Sequence, residues 1–490
     1  MTTLTFDSLN PATGEVVGRH PKHTAADVDK VVGRAEEAAR WWAALSPAER
    51  RRRLLDYKAV LTRHMRELAR LVHDETGKPV ADATLEIVLT VTHLDWAARN
   101  AQKVLGRRRV NTGLVGLNLV GTLEYLPLGV VAVIGPWNYP VFTPMGSIAY
   151  ALAAGNAVVF KPSELTPGVG VRLAELFAES VPEHPVFQCL TGLGETGAAL
   201  VADPRVAKVA FTGSTATARR VMAACAENLT PVVAECGGKD AFIVDADADI
   251  AAAADACLWG ALSNAGQTCV GVERVYVVDA VHDAFVRELS ARAARVRAGE
   301  HYGPITMPGQ VEVIRRHIDD AVATGKVVTG GPGAVRAPYV DPVIVEDVPE
   351  DSPAVREETF GPTITVRRTR DVQEALDLAN ASAYGLGGTI FSRNTRRAAD
   401  LARRMRSGMT AINSIISFAA VPSLPFGGVG DSGFGRIHGG DGLREFARPK
   451  AVSRQRFPMP GMNITSFGRG PADLERLVRL VTLMHGRRKR

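Results

Sequence analysis

Cysteine is scarce in this chain. Its 490 residues include five cysteines, an odd number, and none of them form the spacing Cys-x-x-Cys. The odd count argues against a disulfide framework, and the missing paired spacing argues against a zinc site. The first residues also lack a basic segment followed by an apolar run, so we expect no secretory signal. Together these absences predict a cytoplasmic protein with reduced thiols and no metal centre.

Excess charge is small outside the C-terminal end. The formal net charge is +6, and residues 468–490 supply +5 of it through seven basic and two acidic side chains. The rest of the chain therefore carries about +1, which is no electrostatic footprint for nucleic acid. We expect no nucleic-acid partner.

A long uninterrupted hydrophobic helix is also missing. Residues 126–160 carry no charged side chain, but four prolines interrupt them. Because proline breaks the interior of a helix, this segment is not expected to span a membrane. It predicts a buried strand, turn, helix and second strand.

Apolar runs of strand length alternate with helical patterns. Runs at 128–134 and 157–160 flank a helix, which predicts a parallel strand–helix–strand unit, and the arrangement recurs at 206–235. Later elements are predicted as strands at 274–278 and 364–367 and a helix at 372–380. Near the N-terminus, residues 25–71 predict two helices, the second capped by Ser46. No linker separates these parts, so we expect an α/β fold with interleaved domains.

Cys269 is the strongest candidate for a reactive thiol. Gly266 ends the apolar helix before it, and the polar residue Gln267 lies close to it. A turn of this kind exposes a thiol. Three other cysteines, Cys189, Cys225 and Cys257, lie among apolar residues in the sequence, which is typical of small buried side chains.

Glu235 follows a predicted strand and precedes a Gly237-Gly238 turn. A thiol and a carboxylate at the mouths of two turns suit covalent catalysis followed by attack of an activated water. Taken alone, Glu235 could also be a solvated carboxylate at a strand end. Cys236, its neighbour, is a weaker candidate for a direct role.

Four further blocks complete an ordered series with these two residues. They read Pro-Trp-Asn-Tyr-Pro at 136–140, Lys-Pro-Ser-Glu at 161–164, Phe-Thr-Gly-Ser-Thr at 211–215 and Glu-Glu-Thr-Phe-Gly-Pro at 357–362. On these blocks the chain closely resembles the aldehyde dehydrogenase superfamily, from about Asn10 to Val452.

The resemblance implies a reaction and three catalytic residues. Cys269 would attack the aldehyde carbon, and the side-chain amide of Asn138, with the backbone N–H of Cys269, would stabilise the oxyanion. Hydride transfer to NAD would leave a thioester, and Glu235 would act as the general base for its hydrolysis. The family usually has Leu at the position of Cys236, a small apolar difference.

The resemblance also implies a binding site for NAD. Gly192-x-Gly194-x-x-Gly197 fits the dinucleotide fingerprint, but the family places the pyrophosphate at the later turn, Gly213-Ser214. A carboxylate at Glu164 would repel a 2′-phosphate and favour NAD over NADP. The full cofactor set is Trp137, Lys161, Ser163, Glu164, Gly194, Gly213, Ser214, Glu358 and Phe360.

The implied subunit has three parts and forms a homodimer or a homotetramer. A doubly wound NAD-binding domain would comprise 1–104 and 127–236, and an α/β catalytic domain would comprise 237–440. A small β oligomerisation arm would comprise 105–126 and 441–457. Residues 458–490 form a basic C-terminal extension with apolar residues at helical spacing. That extension is interpreted as a helix packed on a subunit, a membrane-surface helix or a peptide for a partner protein.

The substrate is expected to be a small-molecule aldehyde without a carboxylate. No Arg or Lys occurs between Asn413 and Phe426, near the expected substrate entrance, which favours an apolar aliphatic or aromatic aldehyde over a semialdehyde such as succinic semialdehyde. Two alternatives stay open here: a relative that transfers the acyl group to CoA, and a member without catalytic activity. Retention of Glu235 argues against the first, and retention of Cys269 and Asn138 argues against the second.

Overall fold

A computed structural model describes residues 4–113, 116–458 and 466–486. The chain divides into two compact units. One comprises the described residues of Met1–Val104 and Pro127–Arg448, and the other those of Leu105–Leu126 and Pro449–Arg490.

The strands of the described residues are, in chain order, β1 (Thr5–Leu9), β2 (Val16–Pro21), β3 (Arg108–Val110), β4 (Leu119–Pro127), β5 (Val130–Ile134), β6 (Ala157–Lys161), β7 (Phe187–Cys189), β8 (Val206–Thr212), β9 (Val232–Glu235), β10 (Asp240–Val244), β11 (Val272–Val278), β12 (Lys326–Thr329), β13 (Val335–Arg336), β14 (Tyr339–Val340), β15 (Val343–Glu346), β16 (Thr363–Thr369), β17 (Gly388–Phe391), β18 (Ala411–Ile412), β19 (Gly433–Phe434) and β20 (Ala447–Gln455).

The helices of the same residues are α1 (Ala25–Ala44), α2 (Pro47–Arg63), α3 (Met65–Thr76), α4 (Val80–Leu105), α5 (Phe142–Ala154), α6 (Pro167–Ser180), α7 (Gly194–Ala202), α8 (Thr215–Ala226), α9 (Ile250–Leu262), α10 (Asp279–Ala293), α11 (Gln310–Thr324), α12 (Pro353–Arg356), α13 (Val372–Asn380), α14 (Thr395–Arg404), α15 (Gly439–Glu445) and α16 (Pro471–His485).

The first large sheet has the strand order β19-β9-β8-β5-β6-β7. Its strands run parallel except β19, which pairs antiparallel with β9. Strand β5 is apolar at every position, and its first four residues are buried, because helices cover a parallel sheet on both faces. The predicted strand–helix–strand unit is therefore confirmed, since β5, α5 and β6 follow one another and β5 pairs with β6.

The second large sheet has the order β12-β15-β16-β11-β10-β17-β18, parallel except for β12. Successive residues of β10 point to opposite faces. Phe242 enters a large apolar cluster with Phe285 on one face, and Ile243 enters a smaller one with Leu376 on the other. These two sheets and their helices confirm the predicted α/β class.

Two local expectations near the N-terminus have different outcomes. Ser46 caps α2 as predicted, and its hydroxyl accepts a hydrogen bond of 3.1 Å from the backbone N–H of Glu49. The two helices expected over 25–71 are three, since the chain breaks at His64, whose φ of −93° and ψ of 8° leave the α region. The apolar stripe continues across that break, so periodicity alone did not reveal it.

The smaller unit contains the three-stranded sheet β20-β4-β3 and helix α16. No residue of α16 is buried, and Val478 is 62% exposed. Within residues 4–113, 116–458 and 466–486, every helix is too short or too polar to span a bilayer.

Candidate active site

Cys269 lies in a tightly folded connection between α9 and β11. Asn264 and Ala265 have positive φ angles of 52° and 57°, and Gly266 follows with 73°. A Cβ on Gly266 would lie 2.1 Å from the carbonyl oxygen of Gly361, so only glycine fits there. This turn stops α9 and leaves the Cys269 thiol half-buried at the edge of two cavities.

The two cavities meet at Cys269 and Thr143, which line both of them. The first, of about 280 Å³, contains Glu235 and most of the predicted cofactor residues in its wall. The second, of about 100 Å³, has a largely apolar and aromatic wall that includes Leu89, Phe142 and Phe426. The thiol can therefore be approached from two sides by two different molecules.

Glu235 ends β9 and lines the first cavity together with Cys269. Burial raises the pKa of its carboxyl group to about 7. The Cys269 thiol and the Thr212 hydroxyl approach it and oppose that rise. Neither completes a well-formed hydrogen bond, so among the described residues both Glu235 oxygens lack a partner. The carboxylate is thus available to accept a proton inside the cavity.

The Cys269 thiol has a pKa raised well above its usual value. Burial is the main cause, and the nearby carboxylates of Glu235, Glu358 and Asp240 add to it, because each disfavours a second negative charge. In the protein alone, the sulfur is therefore protonated at neutral pH. Its activation needs proton transfer or an added positive charge.

Asn138 is buried in the turn between β5 and α5, on the wall of the first cavity. Its Nδ2 donates to the carbonyl oxygen of Gln267 at 2.9 Å, two residues before the thiol. A primary amide carries two N–H groups, so a second donor remains for a ligand. The structure thus brings all three predicted catalytic residues to one cavity.

Five of the predicted cofactor residues line that same cavity. They are Trp137, Gly213, Ser214, Glu358 and Phe360. Ser214 is the N-cap of α8 and accepts from the backbone N–H of Thr217 at 3.3 Å. An anion at this turn would meet the positive end of the helix dipole. The rings of Trp137 and Phe360 are perpendicular, with centroids 5.6 Å apart. These features fit a dinucleotide.

The other four predicted cofactor residues lie outside this cavity wall. Lys161 is the last residue of β6, Ser163 and Glu164 follow that strand, and Gly194 begins α7. The buried Lys161 ammonium donates to the Pro162 carbonyl at 2.9 Å and lies 3.9 Å from Glu164, and burial lowers its pKa. The Glu164 side chain is 52% exposed. Open α/β sheets bind ligands at this edge, so the placement is compatible with a cofactor that extends beyond the first cavity.

Sequence reasoning missed the residues that hold the turn carrying Glu358 and Phe360. Glu273, in β11, accepts backbone hydrogen bonds from Thr359 at 2.9 Å and from Phe360 at 3.0 Å. It also forms a buried ion pair with Lys239, whose ammonium donates to the Thr359 hydroxyl at 3.0 Å. Two adjacent charged residues, Glu273 and Arg274, inside a strand whose other residues are apolar or aromatic were the available signal.

It also missed Lys78 and Glu86, which line the second cavity. Both side chains are fully buried and form an ion pair of 2.7 Å. Lys78 is remote in sequence from residues 413–426 and reaches the cavity from the connection between α3 and α4. Since Glu86 neutralises it, Lys78 does not offer a free positive charge.

No group of three or more metal-binding side chains occurs in the part of the chain that the structure describes. The site chemistry is that of a thiol, carboxylates and an amide. It allows covalent attack on a carbonyl carbon, stabilisation of the oxyanion and activation of water.

Comparison with known proteins agrees with this chemistry. A family model described as the aldehyde dehydrogenase family matches residues 2–452. The 4,4′-diapolycopene aldehyde oxidase of a Methylomonas species is 37% identical over 466 residues, which are 94% of this chain and 87% of that protein. The glutarate-semialdehyde dehydrogenase of Pseudomonas aeruginosa is 36% identical, over 90% of this chain and 92% of its own.

Solved structures are similar as well. The crystal structure of an NAD-dependent aldehyde dehydrogenase from Sinorhizobium meliloti superposes with a TM-score of 0.89 at 34% identity, covering 93% of each chain. The similarity therefore extends over most of the chain.

Proposed function

Because this chain belongs to the aldehyde dehydrogenase family, we propose that it oxidises an apolar aliphatic or aromatic aldehyde to its acid through a Cys269 thioester, with NAD as the oxidant. The family and the relatives named above support the oxidation of an aldehyde with a nicotinamide cofactor. One observation supports the proposed mechanism and substrate class. The Cys269 thiol lies between the apolar second cavity and the first cavity, where both oxygens of Glu235 lack a hydrogen-bond partner among the described residues.

The first step forms a bond between Cys269 Sγ and the aldehyde carbon. The thiol proton passes to a base. Glu235 lines the same cavity as the thiol, and its pKa of about 7 suits it to this role. The carbonyl π electrons move to oxygen, and the resulting oxyanion accepts hydrogen bonds from Asn138 Nδ2 and the backbone N–H of Cys269. Trp137, Ser214, Glu358 and Phe360 would hold the nicotinamide cofactor, which would supply the acceptor for the hydride lost from the substrate carbon. The substrate would then remain on Cys269 as a thioester.

The second step releases the acid. Once Glu235 has passed the thiol proton to solvent, it removes a proton from water, the water oxygen bonds to the thioester carbon, and the carbon–sulfur bond breaks. The leaving sulfur takes this proton back from Glu235, so both Cys269 and Glu235 return to their starting states. A carboxylate with a pKa near 7 accepts this proton readily at neutral pH.

The wall of the second cavity supports an apolar substrate. Its charged residues are Lys78, Glu86 and Asp82, and Lys78 is fully paired with Glu86. A carboxylate-bearing aldehyde would find no unpaired cation among the described residues of this wall, and it would meet Asp82. The two relatives named above act, by their names, on a diapolycopene aldehyde and on glutarate semialdehyde, so their substrates differ in charge. The largely apolar lining of the second cavity in this chain suits an uncharged aldehyde.

Glu164 supports NAD over NADP. Its half-exposed carboxylate stands beside Lys161 at the end of β6. If the adenine ribose lies at this edge of the sheet, its hydroxyls can donate to Glu164, whereas a 2′-phosphate would be repelled by the same charge.

We further infer a homodimer or homotetramer built through the β arm of 105–126 and 441–457. The sheet β20-β4-β3 leaves most of β20 exposed, so its side chains and one strand edge can pair with another subunit. Light scattering of the purified protein measures the assembly. A monomer at micromolar concentration would contradict this inference.

Contact of the C-terminal extension with an anionic membrane surface is a further part of the proposal. Helix α16 exposes Leu474, Val478 and Val481 along one stripe, and residues 468–490 carry a net charge of +5. Sedimentation with anionic and with neutral liposomes, using the full chain and a chain ending at Phe457, tests this. Equal pelleting of the two chains would exclude the membrane contact.

The central test is a scan of aldehydes with NAD, followed by NADH absorbance and by analysis of the product. We expect turnover with pentanal, slow turnover with glutarate semialdehyde, and free acid as the product even when CoA is added. Cys269→Ala should abolish turnover, whereas Cys225→Ala, a buried cysteine in α8, should not. Preference for glutarate semialdehyde would refute the apolar substrate. An acyl-CoA product would refute hydrolysis.

A further inference from the structure

Lys78 and Glu86 form the most completely buried ion pair beside the second cavity. Each side chain has an exposed fraction of 0%, and Lys78 Nζ lies 2.7 Å from Glu86 Oε2. Burying two charges is costly unless all their hydrogen-bonding groups are satisfied, so such a pair is weak evidence for stability alone. The backbone contacts of the two side chains indicate a role in positioning other groups.

Both partners hold the turn that contains Asn138. Lys78 Nζ donates to the backbone carbonyl of Asn138 at 2.8 Å and lies 3.9 Å from the centre of the Tyr139 ring. Glu86 Oε1 accepts from the backbone N–H groups of Val141 at 2.7 Å and Phe142 at 3.0 Å. The two ends of the turn are therefore tied to one ion pair.

A second contact connects this turn to the loop of the thiol. Asn264 Nδ2 donates to the carbonyl of Asn138 and to the carbonyl of Gln267, each at 3.1 Å. The Asn138 side chain donates to that same Gln267 carbonyl. The second N–H of the Asn138 side-chain amide therefore has a fixed direction, because the Asn138 backbone and the loop that carries Cys269 both hold the amide in place.

We propose that Lys78 and Glu86 are positioning residues for the oxyanion donor Asn138. This inference depends on the proposed function, since it assumes that Asn138 stabilises the oxyanion. The ion pair fixes the peptide of Asn138, and the fixed peptide aims its amide at the place where charge develops on the substrate oxygen. Preorganised donors are effective because they need no reorganisation during the reaction.

The pair Lys208 and Glu445 provides a matched control. Lys208 lies in β8, its side chain is 6% exposed, and it forms its ion pair with Glu445 at the end of α15. Neither residue lines the two cavities described above. Lys208→Met therefore removes a buried lysine from an ion pair without touching the Asn138 turn.

The test is a double-mutant cycle in the full-length protein, with wild type, Lys78→Met, Asn138→Ala and the double variant. For pentanal and NAD, Lys78→Met should lower kcat/KM by about 100-fold, as expected when a reacting group is misplaced by about 1 Å. In the Asn138→Ala background the same change should cost less than about 3-fold, because residues that act through one another are not additive. In Lys78→Met the dissociation constant of NAD should stay within about 2-fold of that of wild type, since Lys78 and Glu86 line the second cavity and not the first.

Glu86→Gln keeps an oxygen for Val141 and Phe142 but removes the charge, and serves if Lys78→Met does not fold, as judged by circular dichroism. It should show a smaller loss that is again absent in the Asn138→Ala background. Equal losses in both backgrounds overturn the inference, as does a loss in Lys208→Met as large as that in Lys78→Met. A wild-type protein that oxidises no aldehyde overturns the proposed function itself, so the two failures are distinguishable.

Discussion

The carboxylate of Glu273 accepts a hydrogen bond of 3.0 Å from the backbone N–H of Phe360. Phe360 lies on the wall of the first cavity, opposite Trp137, with a positive φ of 52° that is unusual for a side chain of its size. A buried anion that holds two successive backbone N–H groups can maintain such a conformation. Glu273 thus connects the interior of the second sheet to the proposed cofactor site.

Replacing Glu273 should weaken cofactor binding more than substrate binding. In Glu273→Gln the ion pair with Lys239 is lost, and hydrogen bonds to a charged acceptor become hydrogen bonds to a neutral one. We expect the KM for NAD to rise by about 10-fold with little change in the KM for pentanal. Steady-state kinetics with each substrate varied in turn measure both. Glu346→Gln, a buried glutamate in β15 paired with Lys326, is the control, and equal effects in the two variants would contradict the assignment.

The release of acid should depend on the ionisation of Glu235. Burial raises the pKa of this carboxyl group from 4.5 to about 7, and only the deprotonated form can act as a base. Hydrolysis of the acyl-enzyme should therefore be slow below that pH and rise as the pH increases through it. Rapid-quench mass spectrometry in single turnover measures the acyl-enzyme directly. In Glu235→Gln the acyl-enzyme should accumulate and its slow decay should lose this pH dependence; unchanged release of acid would refute the role of base.

The Cys269 thiol should react slowly with alkylating agents at neutral pH. Burial and the carboxylates of Glu235, Glu358 and Asp240 raise its pKa, so the reactive thiolate is rare without cofactor. Alkylation by iodoacetamide, followed by mass spectrometry, should accelerate as the pH rises into the alkaline range. At about pH 8, Glu235→Gln should react faster than wild type, because one of the negative charges that raise the thiol pKa is gone. Fast alkylation at neutral pH, independent of pH, would contradict the pKa direction.

The exposed carboxylate of Glu164 should decide the choice between NAD and NADP. Glu164→Gln removes the charge that would repel a 2′-phosphate and keeps the shape of the side chain. We expect kcat/KM with NADP to rise by about 10-fold, with a smaller change for NAD, since like charges in contact cost several kcal/mol. Glu179→Gln, an exposed carboxylate on α6, is the matched control. An unchanged ratio of the two cofactors in Glu164→Gln would place the ribose elsewhere.

The elements around the site could be predicted because their signals are local. Strand β5 is a continuous apolar run, as is β6 up to Phe160, and α13 was predicted with the bounds Val372–Asn380 that the structure has. The turn of Cys269 was also visible, since Gly266 marks a backbone that only glycine tolerates. The extra break at His64 was not visible, because the apolar periodicity of α2 and α3 continues across it.

The reactive groups, their order and the turns that carry them can be predicted from the residues alone, because residue type and local backbone preference act over a few neighbouring positions. Which of these groups meet depends on the folded structure. Lys78 reaches Asn138 and Lys239 reaches Thr359 across long stretches of chain, and no local pattern encodes such pairings. Folding also sets the ionisation of these groups, since burial raises the pKa of Glu235, and burial together with the nearby carboxylates raises that of Cys269.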